Sequence, residues 1–349
     1  MAPAERSRVG GAGDSGRGEN QLTGGGPRRY GRGVTHPLLD RLIVRAVERA
    51  ATEHLGRAWA CVGFTDLNHR ASHPCGIFTG APFSVFAKLD ASPAGADQFA
   101  AELNGFGLIR SRTQVATPVP IAGGLVATSA GTLLLSEALP ERGAAAAQAA
   151  DARTPEDYAA IGRALAGLHQ TRGASFGLAE FDGFFGPLRQ SNRPVDSGRW
   201  ADFYAERRLR PMLRLAVDSG HLPDELARGA DRVTARLPSL CGPDPAPTLL
   251  HGDAQQNNFV STAAGAVLVD VTPYFGHPEY DLALVDYISP AHPELFRAYA
   301  ELGPVDAGFA GRRELWRLHV YLAVIAVDGA SAFGRSFLPR LAAAVRQYA

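Results

Sequence analysis

Lysine is almost absent from this 349-residue sequence: Lys88 is the single one, although Lys and Arg together number 35. A compact ammonium and a wide guanidinium fork do not replace each other among phosphate oxygens, so the one place where arginine was not used is worth a question. Chance also leaves one lysine somewhere, and the observation waits for support. Cysteine is scarce too. Cys61, Cys75 and Cys241 form an odd, scattered set with neither zinc spacing nor the density of a disulfide scaffold, which makes a reducing cytoplasm the expected compartment. Net charge is zero, with 35 acidic residues against 35 basic ones, so nothing marks a nucleic-acid partner. No apolar run approaches the roughly 20 residues of a membrane helix. The N-terminus also lacks the apolar core of a secretory leader, and no membrane partner is expected.

What is present is 46% hydrophobic residues, ample for one large or two medium cores. Residues 1–34 are rich in Gly, Arg and Ser and are expected to be a disordered tail. Globular patterning begins at His36. A helix is expected over 38–56, ending at Gly56, then strands at 58–64, 76–79 and 83–89, a helix over 97–108, and strands at 124–128 and 132–138. After Pro140 helices dominate, at about 155–171, 199–218, 223–236, 279–287, 291–302, 311–327 and 335–348, with short strand pieces between His251 and Asp270. This order predicts an α+β, bilobal, protein-kinase-like fold. Residues 35–139 would form a β-rich small lobe that binds ATP. Residues 140–349 would form a larger helical lobe carrying the catalytic loop, the metal site and the substrate site.

The segment 249–282 carries most of the chemistry. Asp253 follows His-Gly, Asn258 stands five positions on, and Asp270 ends the apolar run Ala266-Val267-Leu268-Val269. Phosphoryl transfer to an alcohol passes through a loose transition state, so catalysis consists of positioning and neutralising charge. Asp253 suits a base that orients the acceptor hydroxyl. Mg²⁺ takes hard oxygen ligands, commonly one or two from protein, and Asn258 with Asp270 supplies such a pair. Asn257 competes for the amide role, but the spacing favours Asn258. Each residue alone also reads as turn chemistry; the three in this spacing do not. His251 is expected to order the loop, and Asp281 to support it from the start of its helix.

Lys88 ends a strand-like run, fourteen positions before Glu102 on the expected helix, the arrangement of a phosphate-binding lysine held by a glutamate. Asp97 is a rival partner nearer the helix start. The turn within 63–73 should cover the phosphates with its backbone amides, assisted by Asn68 or His69. Glu137 and Leu139 sit where the lobes should hinge, and backbone groups there would bind adenine.

These residues resemble the fructosamine kinase (ketosamine 3-kinase) family, relatives of aminoglycoside and choline phosphotransferases with a protein-kinase-like fold. The resemblance covers about residues 37–348. Its most specific part is Asp270, Tyr274-Phe275-Gly276 and Glu279-Tyr280-Asp281-Leu282. A second part runs through Gly162–His169, Phe176-Gly177, Gln190, Asn192, Trp200 and Phe203-Tyr204-Ala205-Glu206-Arg207-Arg208-Leu209. The chain departs from the family pattern at Phe64-Thr65, Val271, His277-Pro278, Val324 and Ala326. The resemblance implies Mg²⁺- and ATP-dependent phosphorylation of a sugar hydroxyl on a glycated amine. Asp253 would be the base, Asn258 and Asp270 the metal ligands and Lys88 the phosphate contact. Gln190, Asn192 and Trp200 would face the substrate, the Trp either stacking on a sugar or filling the core. A monomer or weak homodimer is expected. Two alternatives stay open: a kinase of an aminoglycoside or other small alcohol, whose cationic acceptor would call on Asp182, Asp196, Asp202 and Glu206, and a non-catalytic nucleotide-binding pseudokinase.

Overall fold

The computed structural model describes residues 36–70, 72–141 and 153–349, so the tail expected at 1–34 lies outside the described residues. The chain opens with helix α1 (Arg41–Leu55), which starts where Asp40 Oδ1 accepts Leu42 N and stops at Gly56 in the left-handed conformation. Strands β1 (Gly63–Asp66), β2 (Cys75–Thr79) and β3 (Val85–Asp90) follow. Next come helix α2 (Gly95–Arg112) and strands β4 (Pro120–Thr128) and β5 (Gly131–Glu137). The five strands form one antiparallel sheet in the order β1-β2-β3-β5-β4. β1 begins later than the expected 58–64. Of the residues before it, Val62 N bonds Thr79 O, while Trp59 leaves the strand path to bury its ring and donate Nε1–H to Phe83 O at 2.9 Å. β4 starts earlier than expected but slips register between Pro120 and Leu125, where Ala122, Gly123 and Gly124 all have positive φ.

The larger lobe carries α3 (Pro155–His169), entered through a capping box between Thr154 and Asp157. A small hairpin, β6 (Gly183–Phe185) and β7 (Leu188–Gln190), comes next and was not expected. The single helix expected over 199–218 is three pieces: α4 (Trp200–Tyr204), a π-helical turn at Ala205–Leu209 and α5 (Arg210–Asp218). After α6 (Asp224–Leu240) the chain runs through β8 (Thr248–Leu249), β9 (Phe259–Thr262), β10 (Gly265–Leu268) and β11 (Phe275–Gly276). It closes with α7 (Pro278–Leu284), α8 (Pro293–Ala300), α9 (Phe309–Asp328), α10 (Ala332–Arg335) and α11 (Leu338–Tyr348).

Two apolar cores result. The smaller packs Leu38, Val47, Trp59, Phe78, Val85 and Leu135 between α1 and the sheet. The larger centres on Trp200, Phe203, Tyr204, Tyr280 and Trp316. Phe106 and Ile109 of α2 are buried in the second core, so the helix that carries Glu102 lies by sequence within the small lobe but packs its apolar residues into the larger core. This is the α+β, bilobal, protein-kinase-like architecture. No helix among the described residues is long and apolar enough to cross a membrane.

Candidate active site

The loop that carries Asp253 is held from below. β8 pairs with β11, fixing Leu249 opposite Phe275. Just beyond Leu250, the amides of His251 and Gly252 donate to the two carboxylate oxygens of Asp281 at 2.6 and 3.0 Å. Asp281 also bonds His169 Nε2 at 3.1 Å, and His169 Nδ1 meets the Tyr299 hydroxyl at 2.8 Å. Gly252 has φ +85°, and a Cβ there would lie 2.1 Å from Thr272 O, so glycine is required for the chain to turn this tightly. The turn delivers Asp253 into the cleft.

Asp253 Oδ2 accepts from Asn258 Nδ2 at 3.0 Å and from Gln255 Nε2 at 3.3 Å. Its other oxygen, Oδ1, is buried without a partner. Burial pushes the Asp253 carboxyl up to about 7 against the pull of those two donors. Asn258 spends its nitrogen on Asp253, to O as well as to Oδ2, which leaves its carboxamide oxygen for a cation. Asp270, two residues beyond the end of β10, itself has positive φ (+52°). Lys88, brought across by β3, bonds both Asp270 Oδ1 and, at 3.1 Å, Glu102 Oε2 of α2. Burial opposes charge on all three. The Asp270 and Glu102 carboxylates still hold the Lys88 ammonium above its ordinary range, and Lys88 in turn holds Asp270 below the ordinary carboxylate range. Glu102 is raised by burial.

Two cavities meet at this cluster. One is mainly apolar and lined by Leu67, Ile77, Phe86, Leu134, Leu139 and Val260, together with Glu137. The other is polar and includes His73, Gln98, Asp253, Gln255 and Thr272. Lys88, Glu102, Asn257 and Asp270 line both. Asp253 and Asn258 line only the polar one. The donor set fits Mg²⁺: one carboxylate and one amide oxygen leave room for phosphate and water oxygens. Among the described residues no cluster of three or more His, Cys, Asp and Glu forms a self-sufficient metal cage.

Residues 43–348 match the family model described as "Fructosamine kinase". The chain belongs to the fructosamine kinase family. It is 34% identical to the "Probable ketoamine kinase slr1563" of Synechocystis sp. over 46% of the chain, and spans about half (52%) of that curated relative's length. It is similar in structure to a "putative fructosamine-3-kinase" of Thermobifida fusca, with a TM-score of 0.70 and 31% identity over 86% of this chain and 99% of that one. The aminoglycoside phosphotransferase APH(4)-Ia, at 15% identity and a TM-score of 0.56 over 86% and 98% of the two chains, shares the fold.

Within the fructosamine kinase frame, several residues stand elsewhere than their types suggested. Trp200 is fully buried, stacked on Phe203 and Tyr204 with ring centroids 5.6 and 5.5 Å away, and lines neither cavity. It fills the core and leaves no face for a sugar. Asn192, also fully buried, accepts from Arg208 and donates to Phe181 O, so both ends of its amide are spent inside the lobe. Gln190 is buried at the end of β7 and lines neither cavity. Asn68 turns its Oδ1 inward to accept Cys75 N at 2.8 Å and to meet His36 Nε2 at 2.9 Å, so it shapes the loop rather than reaching a nucleotide. For Trp200 this is the core alternative that the sequence left open; the other three are corrections to a reading by residue type alone, which cannot tell an inward amide from an outward one. His251 is fully buried, its Nδ1 accepting Asp253 N. Asp97 is exposed and lies 4.0 Å from Arg189, leaving Glu102 to Lys88. Asp182, Asp196, Asp202 and Glu206 line neither cavity. Residues unforeseen at the polar cavity are His73, Gln98, Thr272 and the hairpin residues Phe181, Gly183, Phe184 and Gly186. Their one visible sign was the stretch Phe181-Asp-Gly-Phe-Phe-Gly186, unusually aromatic for a connection.

Proposed function

We propose that this chain transfers the γ-phosphoryl group of ATP to a sugar hydroxyl of a ketosamine, with Asp253 as the base. The observation that carries the reading is the pair of cavities meeting at Lys88, Glu102, Asn257 and Asp270, with Asp253 opening onto the polar one alone. The apolar cavity suits an adenine ring; the triphosphate then reaches Lys88, and an acceptor in the polar cavity meets Asp253 from the other side. Asn258 Oδ1 and Asp270 would hold Mg²⁺, which when bound supplies positive charge to the phosphate oxygens. Lys88 adds its own charge there and is kept protonated by its two carboxylates. Asp253 orients the acceptor hydroxyl through Oδ1 and takes its proton. A carboxyl raised to about 7 is a stronger base than an exposed one and is still ionised in good part near neutrality. Asn258 and Gln255 hold the other oxygen so that the basic one keeps its direction.

A ketosamine suits the polar cavity better than a polycationic acceptor does. Asp182, Asp196, Asp202 and Glu206, the acids that such an acceptor would call on, do not line it. A cytoplasmic enzyme goes with ATP use and with three cysteines that form no disulfide. The test is turnover of fructosyl-lysine with Mg²⁺–ATP by the wild type and by Asp253→Asn. Loss of about 10³-fold or more in kcat, with ATP affinity within about threefold of wild type, is expected. Normal turnover by the variant would remove Asp253 from the role of base.

A further inference from the structure

One wall of the polar cavity has no part in phosphate chemistry. The β6–β7 hairpin, with Gly183 opposite Gln190, pairs with no other strand among the described residues and leans over the cleft from the large lobe. It is built to be rigid. At its base Asn192 N donates to Asp182 Oδ1 at 3.0 Å and Asn192 Nδ2 to Phe181 O at 3.3 Å. Arg208, carried on the π-helical turn, clamps the same base by donating to Ser191 O at 2.8 Å and Asn192 Oδ1 at 2.7 Å. The Arg208 guanidinium is itself wedged 4.0 Å from the ring centroid of Tyr274, just downstream of Asp270. Gly183 lies so close to the catalytic segment that a Cβ would come within 2.3 Å of Thr272 Oγ1. Phe185 drives into the core, edge-on to His319 at 4.9 Å.

This framework leaves Phe181 and Phe184 half-buried on the cavity wall, beside Gln98 of α2 and Thr272, and across the same cavity from Asp253. Arg189 lies 6.0 Å from the Phe184 ring centroid and 4.0 Å from Asp97 of α2, tying the outer side of the hairpin towards the small lobe. A monosaccharide has a face of C–H groups that gains from contact with an aromatic ring, while its hydroxyls need polar partners. The cavity offers both kinds of surface. Trp200 cannot be the platform, because it is sealed in the core.

We propose that the β6–β7 hairpin selects the acceptor, with Phe181 and Phe184 holding the C–H face of the sugar while Asp253 meets its hydroxyl. Asn192 and Arg208 act as positioning residues for this platform. The assignment rests on the phosphotransferase reading above, and the experiment separates the two. Steady-state kinetics with fructosyl-lysine and Mg²⁺–ATP are measured for wild type, Phe181→Ala, Phe184→Ala, Phe184→Leu and, at the exposed hairpin tip, Pro187→Ala. Each alanine variant is expected to raise the acceptor KM about tenfold, with kcat and the KM for ATP within about twofold. Phe184→Leu, which keeps apolar volume without the ring, should fall between, and Pro187→Ala should match wild type. Unchanged ATP affinity shows that the variants are folded. Unchanged acceptor KM in both alanine variants, with the wild type active, overturns the hairpin assignment and leaves the kinase reading intact. No transfer by the wild type to any ketosamine, with Mg²⁺–ATP bound, overturns both.

Discussion

The Lys88 ammonium sits between two carboxylates, and every other residue of the Lys and Arg total is arginine. A guanidinium there would keep the charge but not the shape, because its planar fork is wider than an ammonium and meets two carboxylates in a different geometry. Lys88→Arg is therefore expected to lower kcat/KM for ATP by about 10²-fold or more, measured by initial rates at fixed acceptor. Activity within a few-fold of wild type would show that only the charge matters. At this scale the sequence was legible where chemistry compresses function into short spacing. Asp253, Asn258 and Asp270 lie within one loop and its following strand, and Lys88 and Glu102 on a strand and the next helix. It was not legible for Trp200, Asn192, Gln190 and Asn68. Those residue types serve equally well facing a ligand or facing the core, and the choice was made by packing partners such as Tyr204, Arg208 and Cys75 from distant parts of the chain.

The elements that matter most are the short ones. The 251–253 turn is suspended from Asp281 by two backbone amides and depends on Gly252. Gly252→Ala places a side chain at φ +85° and against Thr272 O, so it is expected to destabilise the fold by about 2–4 kcal/mol. The check is urea denaturation, with transfer activity lost alongside; a variant as stable as wild type would show that the turn relaxes without cost. Helices announced themselves through periodicity, and α1 also through Gly56 at its end. The β6–β7 hairpin did not. Its strands are three residues each, too short for alternation to show, and its position is fixed by contacts with Thr272 and His319 rather than by its own pattern. The π-helical turn was hidden for a similar reason, since Ala205–Leu209 reads as ordinary helix until Arg208 is seen to need its place over Tyr274.

At the scale of the whole molecule, burial of titratable groups sets the response to pH. His73 and His277 are each lowered to about 4, and His251 and His319 are also lowered, burial being the largest cause in all four. Below the ordinary imidazole value of 6.5 the unfolded chain takes up protons that the folded one refuses, so stability falls as pH drops towards about 4. Asp253 and Glu102 oppose this, because burial raises them and the fold keeps protons that the unfolded chain releases. Four imidazoles outweigh two carboxyls, and the urea midpoint is expected to be lower at pH 4.5 than at pH 7. A higher midpoint in acid would mean that the carboxyls dominate. The bilobal arrangement followed from the order of strands and helices, but that α2 packs into the larger core, and so couples Glu102 to the large lobe, follows only from where Phe106 and Ile109 are buried. That coupling brings the two cavities to one cluster, and the cluster is what the proposed reaction requires. The most direct test is transfer of labelled γ-phosphate from Mg²⁺–ATP to ribulose-lysine, fructose-lysine, kanamycin and choline, with products identified by mass spectrometry. Selective phosphorylation of a ketosamine is expected; phosphorylation of kanamycin or choline alone, or of none of the four with ATP bound, would contradict the account.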